Sequence, residues 1–294
     1  MAQCPVPRYA ESSFEAVRDR CYHRTPFIVH GVIRQLLGRD VVTLDELEER
    51  YGDSPLGAVV GLPRDRSPYL SWSSNHRDFM TVGEGLARAR AGDAVAMAQI
   101  STSTFFDLLP VHHPGSNFWV GNVCSGMHWD NADNFLVQLD GTRTVTLAST
   151  RYGVELSPLL DNISKSSLPP QDMAPGSKTA PAGVELWHGV LRPGDALFIP
   201  RRWWHCLSTE EVSLAVNIWH GAALSRADRL YQIVRLGPRY WFRVGLDFVC
   251  AALGKRPPNR VFSPVATGTQ LYDDLSRALS ARFSTMAPAL RMRG

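Results

Sequence analysis

His128 and Asp130 stand two residues apart in the run Gly126-Met127-His128-Trp129-Asp130-Asn131-Ala132-Asp133-Asn134, and His205 closes the run Ile199-Pro200-Arg201-Arg202-Trp203-Trp204-His205. Two imidazoles and one carboxylate are the donor set of the 2-His-1-carboxylate facial triad, which grips one face of Fe(II) and leaves the opposite positions open for a chelating co-substrate and O2. Alternate residues of an extended segment project the same way, so a His-x-Asp pair can reach one ion. The third ligand must come from elsewhere in the chain, and His205 is the candidate.

The surrounding pattern says what positions these groups. The apolar stretch 135–139 ends at Asp140-Gly141, a hairpin signal, and residues 144–147 alternate like a returning strand. Near His205, Pro193-Gly194-Asp195 reads as a turn, 196–199 as a short buried strand and 212–219 as another. Both ligand sets are therefore expected on β-hairpin elements, at the mouth of a barrel-like double-stranded β-helix.

Residues 117–220 resemble the JmjC and cupin-like Fe(II)/2-oxoglutarate oxygenases. The motifs occur in order: His128-x-Asp130-x-x-x-Asn134, then Gln138, Gly141 and Arg143, then Pro193-Gly194-Asp195, Ile199-Pro200, Trp204-His205 and Asn217-Ile218-Trp219. Residues 26–31 and 51–53 fit more loosely, and the last seventy or so hardly at all. The resemblance implies that His128, Asp130 and His205 hold Fe(II) and that 2-oxoglutarate chelates it. It also implies that Arg143 pairs with the distal carboxylate, while Ser125, Asn134 and Asn217 hydrogen-bond the co-substrate or shape its pocket. The implied activity is a dioxygenase, a hydroxylase using O2 and releasing succinate and CO2. Arg143 departs from the family, whose members usually carry Lys there. Since Lys occurs only at 165, 178 and 255 among 31 basic residues, an Arg-for-Lys exchange suits this composition, and a guanidinium also binds carboxylate. Two alternatives stay open: an inactive cupin-like binding protein, and a metal-dependent cupin dioxygenase that does not use 2-oxoglutarate. A protein side chain, a small molecule and a modified nucleoside are all open as substrate.

Length and composition bound the rest. The 294 residues, 44% hydrophobic and 20% charged, suit a soluble globular chain able to bury a large core. A net charge of +3 is too small to argue for nucleic acid, although Arg226, Arg229, Arg235, Arg239 and Arg243 could form a local basic face. Five cysteines without a Cys-x-x-Cys spacing point away from a disulfide framework and toward a cytoplasmic or otherwise intracellular setting. Cys124 and Cys206 are expected near the iron as packing residues open to stray oxidant. No secretory signal is visible, and residues 240–253 are too short and too charged to span a bilayer. Phosphate-binding glycine loops and nucleophile elbows are absent from the sequence, so nucleotide-dependent transfer and serine-hydrolase chemistry have no support in it.

The expected fold is mainly β with flanking helices: an N-terminal α/β elaboration (1–116), a double-stranded β-helix (jelly-roll or cupin) core (117–221) and a C-terminal helical region (222–294). Thr43 to Glu46 and Thr81 to Glu84 fit the capping box, predicting helices at 44–51 and 82–91. Strands are expected at 27–29 and 94–100. The insert 157–183, with five Pro, reads as irregular, either a substrate lid or a loose excursion. Helices are expected at 226–236, from Pro238, and at 271–283. The aromatics Tyr240, Trp241, Phe242 and Phe248 either pack on the barrel or form a homodimer face. Trp129, Trp203 and Trp204 either line the pocket or close the barrel. His23, His30, His76, His112, His113, His188 and His220 lack a partner pattern and read as ordinary hydrogen-bonding groups.

Overall fold

The computed structural model describes residues 3–10, 14–31, 42–60, 77–101, 116–159, 163–220, 230, 234, 236–255 and 266–291. Within them, the β-branched and aromatic runs form two sheets. One has four strands in the order β1 (Gln3–Pro5), β10 (Leu186–Leu191), β9 (Arg143–Ala148), β12 (Trp204–Ser208). The other has nine: β2 (Arg8–Ala10), β3 (Phe27–His30), β11 (Asp195–Ile199), β8 (Asp133–Asp140), β13 (Ser213–His220), β7 (Ser116–Gly121), β6 (Val95–Ser101), β4 (Pro55–Val60), β5 (Arg77–Thr81).

The expected hairpins are not there. β8 and β9 follow one another across Asp140-Gly141 yet lie in different sheets, as do β10 and β11, and β11 and β12. The physical reason is that both edges of β8 are already taken, by β11 and by β13. The Asp-Gly corner reverses the chain without choosing its partner. Gly141 sits at φ 69°, where an added Cβ would meet the Val212 carbonyl at 2.8 Å. The Asp140 carboxylate accepts the Gly141 N–H, and the Gln138 amide donates to the carbonyls of Asp140 and Gly141. Strands that cross between two facing sheets make a jelly roll, the double-stranded β-helix expected from the motifs.

Alternation along each strand divides its residues between two environments. Ile28, Leu136, Leu197 and Ala215 of the large sheet meet Val145, Leu147 and Leu191 of the small one inside the barrel. On the outer face of the large sheet, Phe27, Phe135, Val137, Phe198 and Val216 bury against Leu47, Val82 and Leu86. Those last three belong to the helices Leu44–Tyr51 and Val82–Arg90. Both helices start at the expected threonines. Thr81 and Glu84 form the full reciprocal capping box, while Thr43 accepts the Glu46 N–H. The strands expected at 27–29 and 94–100 appear as β3 and β6.

Outside the small sheet, Met127, Trp129, Tyr152, Ile163, Met173, Trp204 and Val244 form another cluster. The described part of the 157–183 insert is built into it rather than loose. Ser166 is buried and donates to the Leu156 carbonyl, and Met173 is buried. Helices Pro238–Ala252 and Thr267–Arg291 follow. Tyr240 donates its hydroxyl to the Pro158 carbonyl, and Phe248 meets Tyr272 edge-on. Trp241 and Phe242, by contrast, are exposed. The helix expected at 226–236 lies almost wholly outside the described residues, as do Pro257 and Pro258. Among the described residues no helix is long and apolar enough to cross a membrane.

Phe198 is fully buried on β11, with its ring 5.3 Å from Phe27 and 5.2 Å from Phe135. Phe198→Ala should lower unfolding free energy by about 3–5 kcal/mol, read as a lower denaturation midpoint with an unchanged slope.

Candidate metal centre

A pair of backbone hydrogen bonds builds the site. The His128 N–H donates to the His205 carbonyl at 2.9 Å, and the His205 N–H donates to the His128 carbonyl at 2.7 Å. Residues that exchange both bonds lie directly opposite one another and send their side chains to the same face. The two imidazole centroids are 4.2 Å apart as a result. His205 is on β12, opposite Leu147 of β9, so that shared face is the barrel interior. Just upstream of His128, the Ser125 N–H donates to the Leu207 carbonyl and its hydroxyl accepts the Leu207 N–H.

The ring orientations are also set by the main chain. His128 Nδ1 lies 2.9 Å from the Gly126 carbonyl, and His205 Nδ1 lies 2.9 Å from the Trp203 carbonyl. A carbonyl only accepts, so each Nδ1 carries the proton and each Nε2 keeps its lone pair for a metal. Asp130 completes the set, with Oδ2 3.6 Å from His205 Nε2. One donor atom from each of the three residues falls within 4.8 Å of the others. Among the described residues these three are the group that could hold a metal ion. Burial holds His128 well below the usual histidine range, reinforced by Lys165 and His205. Burial alone would raise Asp130, but contact with His205 and the charge of Lys165 hold it low. A neutral imidazole at His128 beside an ionised carboxylate suits a divalent metal.

A cavity opens from these donors. Its lining includes Ser125, Asn134, Arg143, Lys165, Asn217, Trp119 and Trp219 beside the three candidate ligands. Arg143 shares the inner face of β9 with Leu147, four residues along the strand, so the two Cα atoms stand roughly 13 Å apart. Arg143 is 6% exposed, and its guanidinium donates to the Ser213 hydroxyl at 2.7 Å. No carboxylate pairs with it among the described residues. Burial lowers its pKa to about 10, which leaves it charged at neutral pH. Asn134 and Asn217 are buried side by side, the Asn134 amide donating to Asn217 Oδ1 at 3.3 Å, and Asn134 Oδ1 has no partner among the described residues.

All seven residues singled out in the sequence thus converge on one cavity. Lys165 and Ser213 were not among them. Lys165 lies in the insert, in an isolated antiparallel bridge with His128, and is one of three lysines in the chain. That rarity was the available signal. Trp129, Trp203 and Trp204 do not line the cavity: their indole N–H groups donate to the carbonyls of Ile163, Arg24 and Tyr152. Cys124 and Cys206 are free thiols, with sulfurs 3.3 Å apart. His30 sits against Asp195, His188 against Thr146, and His220 stacks on Phe135. His76, His112 and His113 lie outside the described residues.

Residues 64–225, more than half of the chain, match the cupin-like domain family. The chain belongs to this JmjC and cupin-like family. Among curated relatives it is 31% identical over 248 residues to Jumonji C domain-containing protein 5 of Drosophila melanogaster, covering 74% of this chain and 60% of that one. It is 33% identical over 106 residues to lysine-specific demethylase 8 of Danio rerio (35% and 26%), and 30% identical over 117 residues to tRNA wybutosine-synthesizing protein 5 of Mus musculus (39% and 34%). The chain therefore spans less than two thirds of the length of each.

Purified protein should take up about one Fe(II) per chain in an anaerobic titration, and His128→Ala or His205→Ala should abolish it, because two remaining donors hold a labile ion poorly. Stoichiometric iron in both variants would overturn the metal assignment.

Proposed function

We propose that this protein is an Fe(II)- and 2-oxoglutarate-dependent oxygenase acting as a hydroxylase. The observation that carries this is Arg143: a guanidinium buried at one end of a cavity, without a carboxylate partner among the described residues, with the His-Asp-His group at the other end. A buried charge needs a counter-charge, and a dicarboxylate reaching from metal to guanidinium supplies one. In this reading His128, Asp130 and His205 hold the iron. Arg143 takes the distal carboxylate, steadied by Ser213, while Asn134 and Asn217 offer amide groups to the co-substrate. Ser125 acts by tying the His128 segment to β12. Bound iron and 2-oxoglutarate supply the oxidising chemistry, with O2 consumed and succinate and CO2 released; the chain binds, orients and excludes water.

A dioxygenase working without 2-oxoglutarate would leave the buried Arg143 charge without a purpose, while an inactive binding protein would keep the fold but release no succinate. Residues 117–221 form the proposed catalytic unit, with 1–116 contributing strands to its larger sheet and 222–294 appended. The relatives are named for lysine demethylation and for tRNA wybutosine synthesis, so a protein side chain, a modified nucleoside and a small molecule all stand as substrate classes. An intracellular setting belongs to the same reading, since Fe(II) and free thiols both favour a reducing compartment.

We also propose a homodimer through the C-terminal helices. Phe242, Leu246 and Val249 fall at helical spacing on Pro238–Ala252, Leu253 follows at its C-cap, and all four are exposed, Phe242 at 76%. An apolar stripe of that kind is costly to leave in water.

Two measurements test these readings. Arg143→Ala should raise the 2-oxoglutarate concentration needed for succinate formation by roughly ten- to a hundredfold, as expected for a lost charge-assisted bond, with Arg143→Lys restoring much of it; an unchanged requirement would mean the distal carboxylate is held elsewhere. Light scattering should show a dimer that Phe242→Glu converts to monomer, and a monomeric parent chain at micromolar concentration would remove the dimer.

A further inference from the structure

Two sulfurs stand in contact at the edge of the metal centre. Cys124 Sγ lies 3.3 Å from Cys206 Sγ, and both thiols are free. They belong to the same two segments that carry the imidazoles: Cys206 follows His205 on β12, and Cys124 precedes His128 in the run Cys124-Ser125-Gly126-Met127-His128. The two differ in access. Cys124 is half-buried and lines the cavity that holds the three candidate ligands. Cys206 alternates with His205 along the strand, is 5% exposed, and belongs to the outer cluster of Met127, Trp129 and Trp204. An oxidant entering the cavity therefore meets Cys124 first, with Cys206 behind it.

One short turn links the sulfurs to the ligands. The Gly126 N–H donates to Cys124 Sγ at 3.4 Å, and the Gly126 carbonyl faces His128 Nδ1 at 2.9 Å. Gly126 sits at φ 68°, so the turn carries a thiol on one side and the anchor of a metal-facing imidazole on the other. A disulfide holds its sulfurs at about 2.05 Å, so closing this pair draws them together by roughly 1.2 Å. Cys206 is set in the ladder opposite Thr146 of β9, and Ser125 is pinned to Leu207 by two hydrogen bonds. The displacement therefore passes into the turn at Gly126.

We propose that Cys124 and Cys206 are a peroxide-sensitive dithiol whose closure to a disulfide disturbs the Gly126 anchor of His128 and weakens metal binding. The Cys124 sulfur attacks hydrogen peroxide: an S–O bond forms, the O–O bond breaks, and water leaves a sulfenic acid. The Cys206 sulfur then attacks Cys124, the S–S bond forms, the S–O bond breaks, and a second water leaves. Each sulfur loses one electron and each peroxide oxygen gains one. An external thiol reverses the bond by exchange, as suits a transient disulfide in a reducing compartment. The proposal rests on the metal reading of His128, Asp130 and His205 and is independent of 2-oxoglutarate.

The test treats the metal-free full chain with a few equivalents of hydrogen peroxide, removes the excess, and maps the peptides by mass spectrometry. A linked pair containing Cys124 and Cys206 is expected. Mn(II) is then titrated by electron paramagnetic resonance, chosen because thiols bind it poorly. Oxidation should weaken Mn(II) binding by roughly ten- to a hundredfold, the loss typical when a ligand's orienting partner is disturbed, and dithiothreitol should restore it. Cys206→Ala should stop at a Cys124 sulfenic acid, trapped by dimedone, and keep the affinity of the reduced chain. Oxidation without the linked pair overturns the proposal, as does a linked chain with unchanged Mn(II) affinity or an equal loss in Cys206→Ala. Reversal by dithiothreitol in the parent separates the disulfide from irreversible damage without any variant. Failure of the metal reading shows separately, as a reduced parent that takes up no Mn(II), and it removes this proposal too.

Discussion

The reciprocal main-chain hydrogen bonds between His128 and His205 are the constraint on which the site depends. They join a segment that precedes β8 to a strand more than seventy residues later, and they fix both imidazoles on one face. Asp130 follows by the two-residue spacing, and Lys165 by one further bridge. A slip of one residue in this pairing would turn one imidazole out of the barrel. The buried tryptophans on the opposite face make that slip expensive, since Trp129 and Trp204 already use their indole N–H groups on fixed carbonyls.

Much of this was legible in the sequence, because strand periodicity and short motifs carry it directly. The strand positions, the threonine-capped helices and the His-x-Asp pair follow from local pattern, and the residues around Arg143 from the resemblance to the family's motifs. Connectivity did not. Asp140-Gly141 specifies a tight corner equally well for a hairpin and for a crossover. The outcome was decided by β11 and β13, distant segments that fill both edges of β8. Lys165 was hidden for a related reason: the insert lacks periodicity, so only the tertiary bridge to His128 reveals which way it faces. The C-terminal aromatics divided between two expectations, Tyr240 and Phe248 making internal contacts while Trp241 and Phe242 stay exposed.

The cavity combines two kinds of electrostatic preparation. At one end, burial keeps an imidazole neutral while nearby positive groups keep a carboxylate ionised, a donor set shaped for a cation. At the other end, a buried guanidinium held by a hydroxyl is shaped for an anion. The folded chain spends stability to hold both, since each isolated charge is poorly solvated. Such opposed preferences within one cavity give a bound molecule a direction as well as a place.

The tethering of each Nδ1 to a carbonyl two residues back along its own chain has a consequence for how the protein can change over evolutionary time. A main-chain carbonyl survives every substitution, so the tautomer that exposes Nε2 does not depend on the identity of any neighbouring side chain. The metal-facing half of the site can therefore drift in its surroundings while its chemistry stays the same. Arg143 has no such insurance: the hydroxyl that steadies it belongs to Ser213, and a lineage that loses Ser213 must supply another acceptor there. Divergence among such proteins is then expected to accumulate first around the guanidinium end, where orientation is held by side chains.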